Sequence, residues 1–227
     1  MRMAVLGTGS VGRTLAAALT TLGHDVTIGT RDVAATMART EPDRFGNPPY
    51  PEWADEHDDI GLATFAEATN GADLVVNATG GAASLDALTA AAGGGDLAEV
   101  IVVDVANPLD FTHGWPPSLA VANTDSLAEQ IQRTFPDARV VKTLNTMNAA
   151  VMVDPGMVAG GDHTVFLSGD DADAKATVDD LLRALGWTDV VDLGGIATAR
   201  GVEMVLPLWL SLNAALDARA IQLKVVR

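Results

Sequence analysis

An apolar strand, Met3-Ala4-Val5-Leu6, runs directly into Gly7-Thr8-Gly9-Ser10-Val11-Gly12 and then into a helix read as Arg13 to Leu22. Each glycine has a separate job: Gly7 turns the chain out of the strand, Gly9 leaves room for a pyrophosphate, and Gly12 lets the helix pack closely on the sheet. The helix begins where the phosphates would sit, with its free amides and positive dipole end toward them. Gly23-His24 closes it before a second apolar-rich strand, Asp25 to Gly29. The glycines therefore stand between a strand and a helix, the context in which this spacing signals a dinucleotide site.

The second strand ends in Thr30-Arg31, near the point where an adenosine ribose is read, roughly 20 residues beyond the glycines. A carboxylate there would hold a 2'-hydroxyl. A hydroxyl followed by a planar guanidinium suits a 2'-phosphate, so the residues read as an NADP(H) site. In the alternative, Arg31 is a solvated loop residue and Asp32 takes the ribose hydroxyls, which would make this an NAD protein.

Composition narrows the remaining classes. With no cysteine there is no disulfide, thiolate metal site or thiol catalysis. The four histidines, His24, His57, His113 and His163, are not spaced as metal ligands on one helix, and no metal is expected. A net charge of −16 argues against nucleic acid and anionic membranes as partners. No apolar run reaches the length of a membrane span, and the first residues enter a strand without a leader-like segment, so a cytoplasmic location is expected.

Strand and helix alternate along the rest of the chain, predicting an α/β fold: a Rossmann-type doubly wound, mostly parallel sheet with a small C-terminal helical extension. Residues 1–150 form the dinucleotide-binding domain, and 151–227 complete the sheet edge and the cleft or dimer helices. Val33 to Arg39 reads as a helix and Glu41 to Asp59 as an irregular surface excursion anchored by Tyr50 and Trp53. After a helix at Phe65 to Thr69, Ala72 to Ala78 is a buried strand ending in Thr79-Gly80-Gly81, a loop expected over the pyrophosphate and nicotinamide ribose. Ser84 to Ala92 is a helix ending in Gly93-Gly94-Gly95, and Val100 to Val105 a strand closing with Ala106-Asn107-Pro108. Asn107 stands at the cofactor edge or caps the turn that Pro108 begins. Leu109 to Leu119 has no period. A helix at Ser126 to Phe135 leads to a strand at Arg139 to Asn148 whose end faces the nicotinamide. Strands at Thr164 to Ser168 and Val190 to Leu193, with a helix at Asp173 to Leu185 between them, stack on the sheet's edge. Glu203 to Ala220 is one long helix, apolar nearly all round, which suggests packing against a second subunit or across the cleft, the alternative being a core helix of one monomer. Arg200 and Glu203, three residues apart, are placed to pair.

Taken in order, Gly7-Thr8-Gly9-Ser10-Val11-Gly12, Thr30-Arg31, Val103-Asp104-Val105-Ala106-Asn107-Pro108, Lys142-Thr143-Leu144-Asn145-Thr146 and Ala199-Arg200-x-x-Glu203 resemble the coenzyme F420-dependent NADP oxidoreductase family over nearly the whole chain. The resemblance implies NADP on Thr8, Ser10, Val11, Thr30 and Arg31. It also implies a C-terminal portion forming a cleft where a deazaflavin, or a flavin, lies against the nicotinamide, and a homodimer. Asn145, Thr146 and Met147 would border the transfer site, with Leu206 and Pro207 as the far wall. Familiar members read His-Thr-x-Pro where this chain reads Asn145-Thr146-Met147-Asn148; the wider family, including the reductase domains of membrane ferric reductases, has Lys-x-x-Asn-Thr, which is kept here.

A carbonyl reductase needs a proton donor near the nicotinamide. The sole tyrosine is Tyr50, Lys142 lies inside a strand, and His113 is the one candidate acid. Hydride passing directly between two cofactors asks the protein only to orient rings and exclude water. Transfer between NADP(H) and a small redox partner, coenzyme F420 or a flavin, is thus the leading reading. The others are an NADPH-dependent reductase of a small imine or ketone using His113, and a non-catalytic NADP(H)-binding sensor or scaffold.

Overall fold

The computed structural model describes residues 1–43, 46–93, 97–217 and 220–227. The run from β1 (Arg2–Leu6) through α1 (Ser10–Thr21), β2 (Asp25–Thr30), α2 (Val33–Met37) and α3 (Tyr50–Asp55) to β3 (Gly61–Thr64) builds the first half of a sheet. The second half comes from α4 (Phe65–Thr69), β4 (Leu74–Asn77), α5 (Ser84–Ala91), β5 (Ile101–Asp104), the short strands β6 (Leu109–Asp110) and β7 (Ser118–Leu119), α6 (Leu127–Thr134) and β8 (Arg139–Lys142). The six-stranded sheet has the order β3-β2-β1-β4-β5-β8, and every pairing in it is parallel. The strand order reverses between β1 and β4, and that switch point makes the crevice at which doubly wound sheets bind ligands beyond their carboxyl ends.

Alternation along the strands makes the two faces. Met3, Val5, Val26, Ile28, Val103 and Val141 pack with Leu15 and Leu19 of α1, while Ala4, Leu6, Val75, Val102 and Val140 pack with Phe65, Leu88 and Ile131 on the opposite face. Helix starts are fixed by side-chain caps: Asp32, Ser126 and Asn148 each accept an amide of the first turn, and Thr64 and Glu67 form a capping box.

Past residue 148 come α7 (Ala149–Val153), β9 (Thr164–Leu167), α8 (Ala172–Ala184), β10 (Asp189–Asp192), α9 (Ala199–Met204) and α10 (Leu206–Leu216). Val151, Val165, Val178 and Trp187 belong to the same cluster as Met3 and Val5, so residues on both sides of position 150 share one core.

Several expectations are corrected. β8 stops at Lys142 because Leu144 adopts a left-handed conformation (φ 58°) that an extended strand cannot hold. β9 and β10 form their own two-stranded parallel sheet, joined to β8 by a single antiparallel bridge between Lys142 and Ser168. The excursion contains α3, with Tyr50 buried, its ring 5.5 Å from Trp53, and Trp53 stacked on His57. Burial pushes the Tyr50 phenol up to about 12. β3 leaves little trace in the sequence because Gly-Leu-Ala-Thr is short, lacks β-branched apolar residues and lies half-exposed at the edge. Leu109 to Leu119 forms the β6–β7 hairpin, with Phe111, His113 and Trp115 exposed.

The long C-terminal helix is two helices. Pro207 has no amide to give the carbonyl of Glu203, so the first helix ends and α10 restarts with proline in its first turn. Only Leu206 and Leu210 of α10 are buried; Leu208 and Leu216 are exposed. Positions 94, 95, 218 and 219, which the sequence pattern places in a glycine run and in this helix, lie outside the described residues.

Candidate dinucleotide site at the carboxyl edge of the sheet

The glycine loop has the geometry its spacing asks for. Gly7 lies at φ 119°, and a Cβ there would stand 2.7 Å from the Ala78 carbonyl oxygen. At Gly12 a Cβ would stand 2.0 Å from the Gly7 carbonyl oxygen, so the loop folds back on α1 with no space between them. A Cβ at Gly9, by contrast, meets nothing within 4 Å. Gly9 is also the N-cap of α1 and has no side chain to occupy the helix's first amides. Close packing on one side and open space on the other is what a phosphate cradle requires.

The neighbouring loops come together at the same edge. Gly80 also faces open space, while a Cβ on Gly81 would be 2.1 Å from the Asn107 carbonyl oxygen, so the Thr79-Gly80-Gly81 turn lies directly on the end of β5. Thr79 is not free: its hydroxyl donates to Asn77 Oδ1 at 2.6 Å.

At the adenosine end, Arg31 is exposed and makes no ion pair among the described residues. Thr30 is buried, and its hydroxyl bonds that of Thr36 at 2.9 Å. Asp32 accepts the Ala35 amide at 2.9 Å as the cap of α2, which engages one oxygen of the carboxylate that an NAD site would turn toward the ribose. A residue that sequence reasoning misses stands here as well: Arg39, past the end of α2, donates from Nη1 to Thr8 Oγ1 at 3.0 Å. Arg133, Arg183, Arg200 and Arg227 are each tied to a carboxylate, whereas Arg31 and Arg39 are not, among the described residues. The available signal is a second arginine beyond a five-residue helix in an acidic chain. α1 is braced from below by Arg13, buried, whose Nη1 donates to the Pro48 carbonyl at 2.8 Å.

At the far end, Asn107 and Asn145 are paired. Asn107 Nδ2 donates to the Asn145 carbonyl at 2.8 Å, and Asn145 Nδ2 donates to Asn107 Oδ1 at 2.9 Å and to the Val202 carbonyl at 3.0 Å. Asn107 therefore joins β5 to β8 rather than capping a turn. Asn145, Thr146 and Met147 are buried, and Met147 Sδ accepts from Gln222 at 3.4 Å. Leu206 is buried and Pro207 exposed, one turn beyond Val202. His113 is exposed on the hairpin that leaves β5.

The expected Arg200–Glu203 pair does not form. Arg200 makes a two-nitrogen contact with Glu129, and Glu203 turns inward to Lys142. Burial alone would lower the Lys142 ammonium, but Asp104 and Glu203 outweigh it and its pKa is raised.

The family model described as NADP oxidoreductase, coenzyme F420-dependent, matches residues 2–108. Over its full length the chain is 61% identical to a protein from Arthrobacter sp. FB24, provisionally described as an F420-dependent NADP-reductase; each chain is covered 100%, with a TM-score of 0.96. The chain belongs to the coenzyme F420-dependent NADP oxidoreductase family. Members of this family more distant in sequence include the F420-dependent NADP reductase of Methanothermobacter marburgensis, 29% identical over 94% of this chain and 92% of that one. The metalloreductase STEAP3 of Rattus norvegicus is 29% identical over 92% of this chain, which spans 38% of the length of that relative. By its membership the protein is an NADP-dependent oxidoreductase of Rossmann-type fold. Among the described residues no helix is long and apolar enough to cross a membrane.

Proposed function

We propose that the protein transfers a hydride between NADP(H) and the deazaflavin coenzyme F420. The observation that carries this reading is the loop itself: an open Gly9 and uncapped start of α1, flanked by two arginines free of ion pairs among the described residues, on a chain of net charge −16. Gly9, Ser10 and the first turn of α1 would hold the pyrophosphate, with Thr8 and Val11 beside it. Arg31 and Arg39 would take the 2'-phosphate from two sides. Thr30, its hydroxyl engaged by Thr36, supports this corner from below. Thr79, Gly80 and the Asn107–Asn145 pair would border the nicotinamide.

The bound nicotinamide supplies or accepts the hydride directly; the chain's residues orient the rings and exclude water. Buried Asn145, Thr146, Met147 and Leu206 make one side of that site dry. Lys142 donates to Asp104, Glu203 and the Ala106 carbonyl, so its three hydrogens are committed and it is not placed to protonate a substrate oxygen.

Replacing Arg31 with Ala should weaken NADPH binding about 10- to 150-fold, the range for losing charged hydrogen bonds, while changing NADH binding less than about twofold. Fluorescence titration with both nucleotides measures it, and equal losses would remove Arg31 as selector. The function itself is tested by stopped-flow absorbance of NADPH oxidation with oxidised F420, a flavin, and a panel of small ketones and imines. Fast oxidation by F420 that survives His113→Ala supports direct transfer. Turnover only on a ketone or imine, lost by about two to four orders of magnitude in His113→Ala, would replace the proposal with a reductase. Tight NADPH binding without oxidation by any acceptor would make the protein a sensor or scaffold.

A further inference from the structure

A buried polar chain runs beneath the carboxyl edge of the sheet and ends in the C-terminal segment. Asn77 at the end of β4, itself bonded to Thr79, donates from Nδ2 to Asp104 Oδ1 at 2.8 Å. Lys142 Nζ lies 2.8 Å from Asp104 Oδ2 and 2.9 Å from Glu203 Oε1. The Glu203 carboxylate then accepts the backbone amides of Leu127 at 2.8 Å and Ala128 at 3.2 Å, the first two of α6. Asn77, Asp104 and Lys142 are wholly buried, and Glu203 is 1% exposed.

Apolar residues of matching volume would fill this space at no loss, and often with gain, of stability. Charges and fixed hydrogen bonds add position: an ammonium with three placed hydrogens between two carboxylates has one satisfactory arrangement. The segment it reaches has little other grip. α9 and α10 together bury only Ala199, Val202, Leu206 and Leu210 as apolar side chains, and their other ties among the described residues include the Arg200–Glu129 contact, the Asn145–Val202 bond and a bond from Trp209 Nε1 to the Ile221 carbonyl at 3.2 Å.

We propose that Lys142 and Glu203 are positioning residues, an internal latch that sets where α9 and α10 sit over the cofactor edge. The latch thereby sets the gap between the Leu206–Pro207 wall and the Asn107–Asn145 pair. The second redox partner enters through that gap; this last step rests on the function proposed above, and the latch itself does not.

The test is hydrogen–deuterium exchange on full-length Glu203→Gln without cofactor, with Glu203→Asp beside it. Aspartate keeps the charge but is one methylene too short to reach Lys142 and the α6 amides together, so it serves if the glutamine variant does not fold. Amides of 199–216 should exchange about tenfold faster, while those of β1, α1 and β2 are unchanged, a local opening rather than global unfolding. The NADPH dissociation constant should stay within about twofold, and kcat with whichever acceptor serves the natural protein should fall about 100-fold, the cost of misplacing one reactant by an ångström. Unchanged exchange at 199–216 in a folded variant, or an equal rise in all segments, would overturn the latch. If the natural protein oxidises NADPH with no acceptor, the functional reading falls and the exchange result still decides the latch.

Discussion

Lys142→Met should lower stability by about 3–5 kcal/mol, because it leaves the carboxylates of Asp104 and Glu203 buried without their cation. For a chain of this length that corresponds to a fall in Tm of about 6–20 °C, read by calorimetry at neutral pH. The loss is one of charge compensation, not volume, since methionine fills nearly the same space as the lysine stem. The triple variant Lys142→Met, Asp104→Asn, Glu203→Gln should therefore recover part of the deficit: the amide oxygens still accept from Asn77 and from one of the two α6 amides, and no ion remains unpaired. A single variant as stable as the natural protein would show that the ammonium offsets nothing. A triple variant no better than the single would assign the loss to packing.

The second large effect separates two glycines that the sequence presents as equals. In Gly12→Ala the new methyl would stand 2.0 Å from the Gly7 carbonyl oxygen, so either α1 or the loop must move. Overpacking of this kind costs about 1–3 kcal/mol, and a displaced loop should lose NADPH affinity by about 10- to 100-fold. Gly9→Ala meets no protein atom within 4 Å, so its Tm should be unchanged while NADPH binding falls because the methyl occupies the pyrophosphate's place. Paired melting curves and nucleotide titrations distinguish them. A drop in Tm for Gly9→Ala, or none for Gly12→Ala, would reverse the roles assigned to these positions.

How much of the molecule is legible in its residues follows from how local the signals are. The strand, the glycine loop and the start of α1 are contiguous and governed by sterics within a dozen residues, so their geometry follows from residue order alone. The same holds for α4, whose capping box lies within four residues. Long-range pairings are hidden. Glu203 could meet Arg200 one turn away, yet it crosses to Lys142 and to amides 75 and 76 residues distant because the fold delivers them to one buried point. Arg39 reads as the end of a helix; only the turn after Met37 brings its guanidinium to Thr8. Asn107 and Asn145 can each be placed at the cofactor edge, but their bonding to one another requires β5 and β8 to be neighbours, a fact of topology rather than spacing. The C-terminal helix reads as too long when apolar composition outweighs a proline whose missing amide ends one helix and starts another.

The occupied start of α6 bears on how a cofactor can lie. α1 and α6 both begin at the carboxyl edge of the sheet, and either could in principle attract a negatively charged group. At α6 the chain has supplied its own anion: Glu203 takes the amides of Leu127 and Ala128, and Ser126 takes that of Glu129. Of these two helix origins only α1's stays vacant, so the edge is polarised. With its diphosphate at α1, as proposed above, a dinucleotide would lie with adenosine toward β2 and the reactive ring toward β8. On that reading the fold would give the ligand a heading, with one end anchored by charge and the other left to shape.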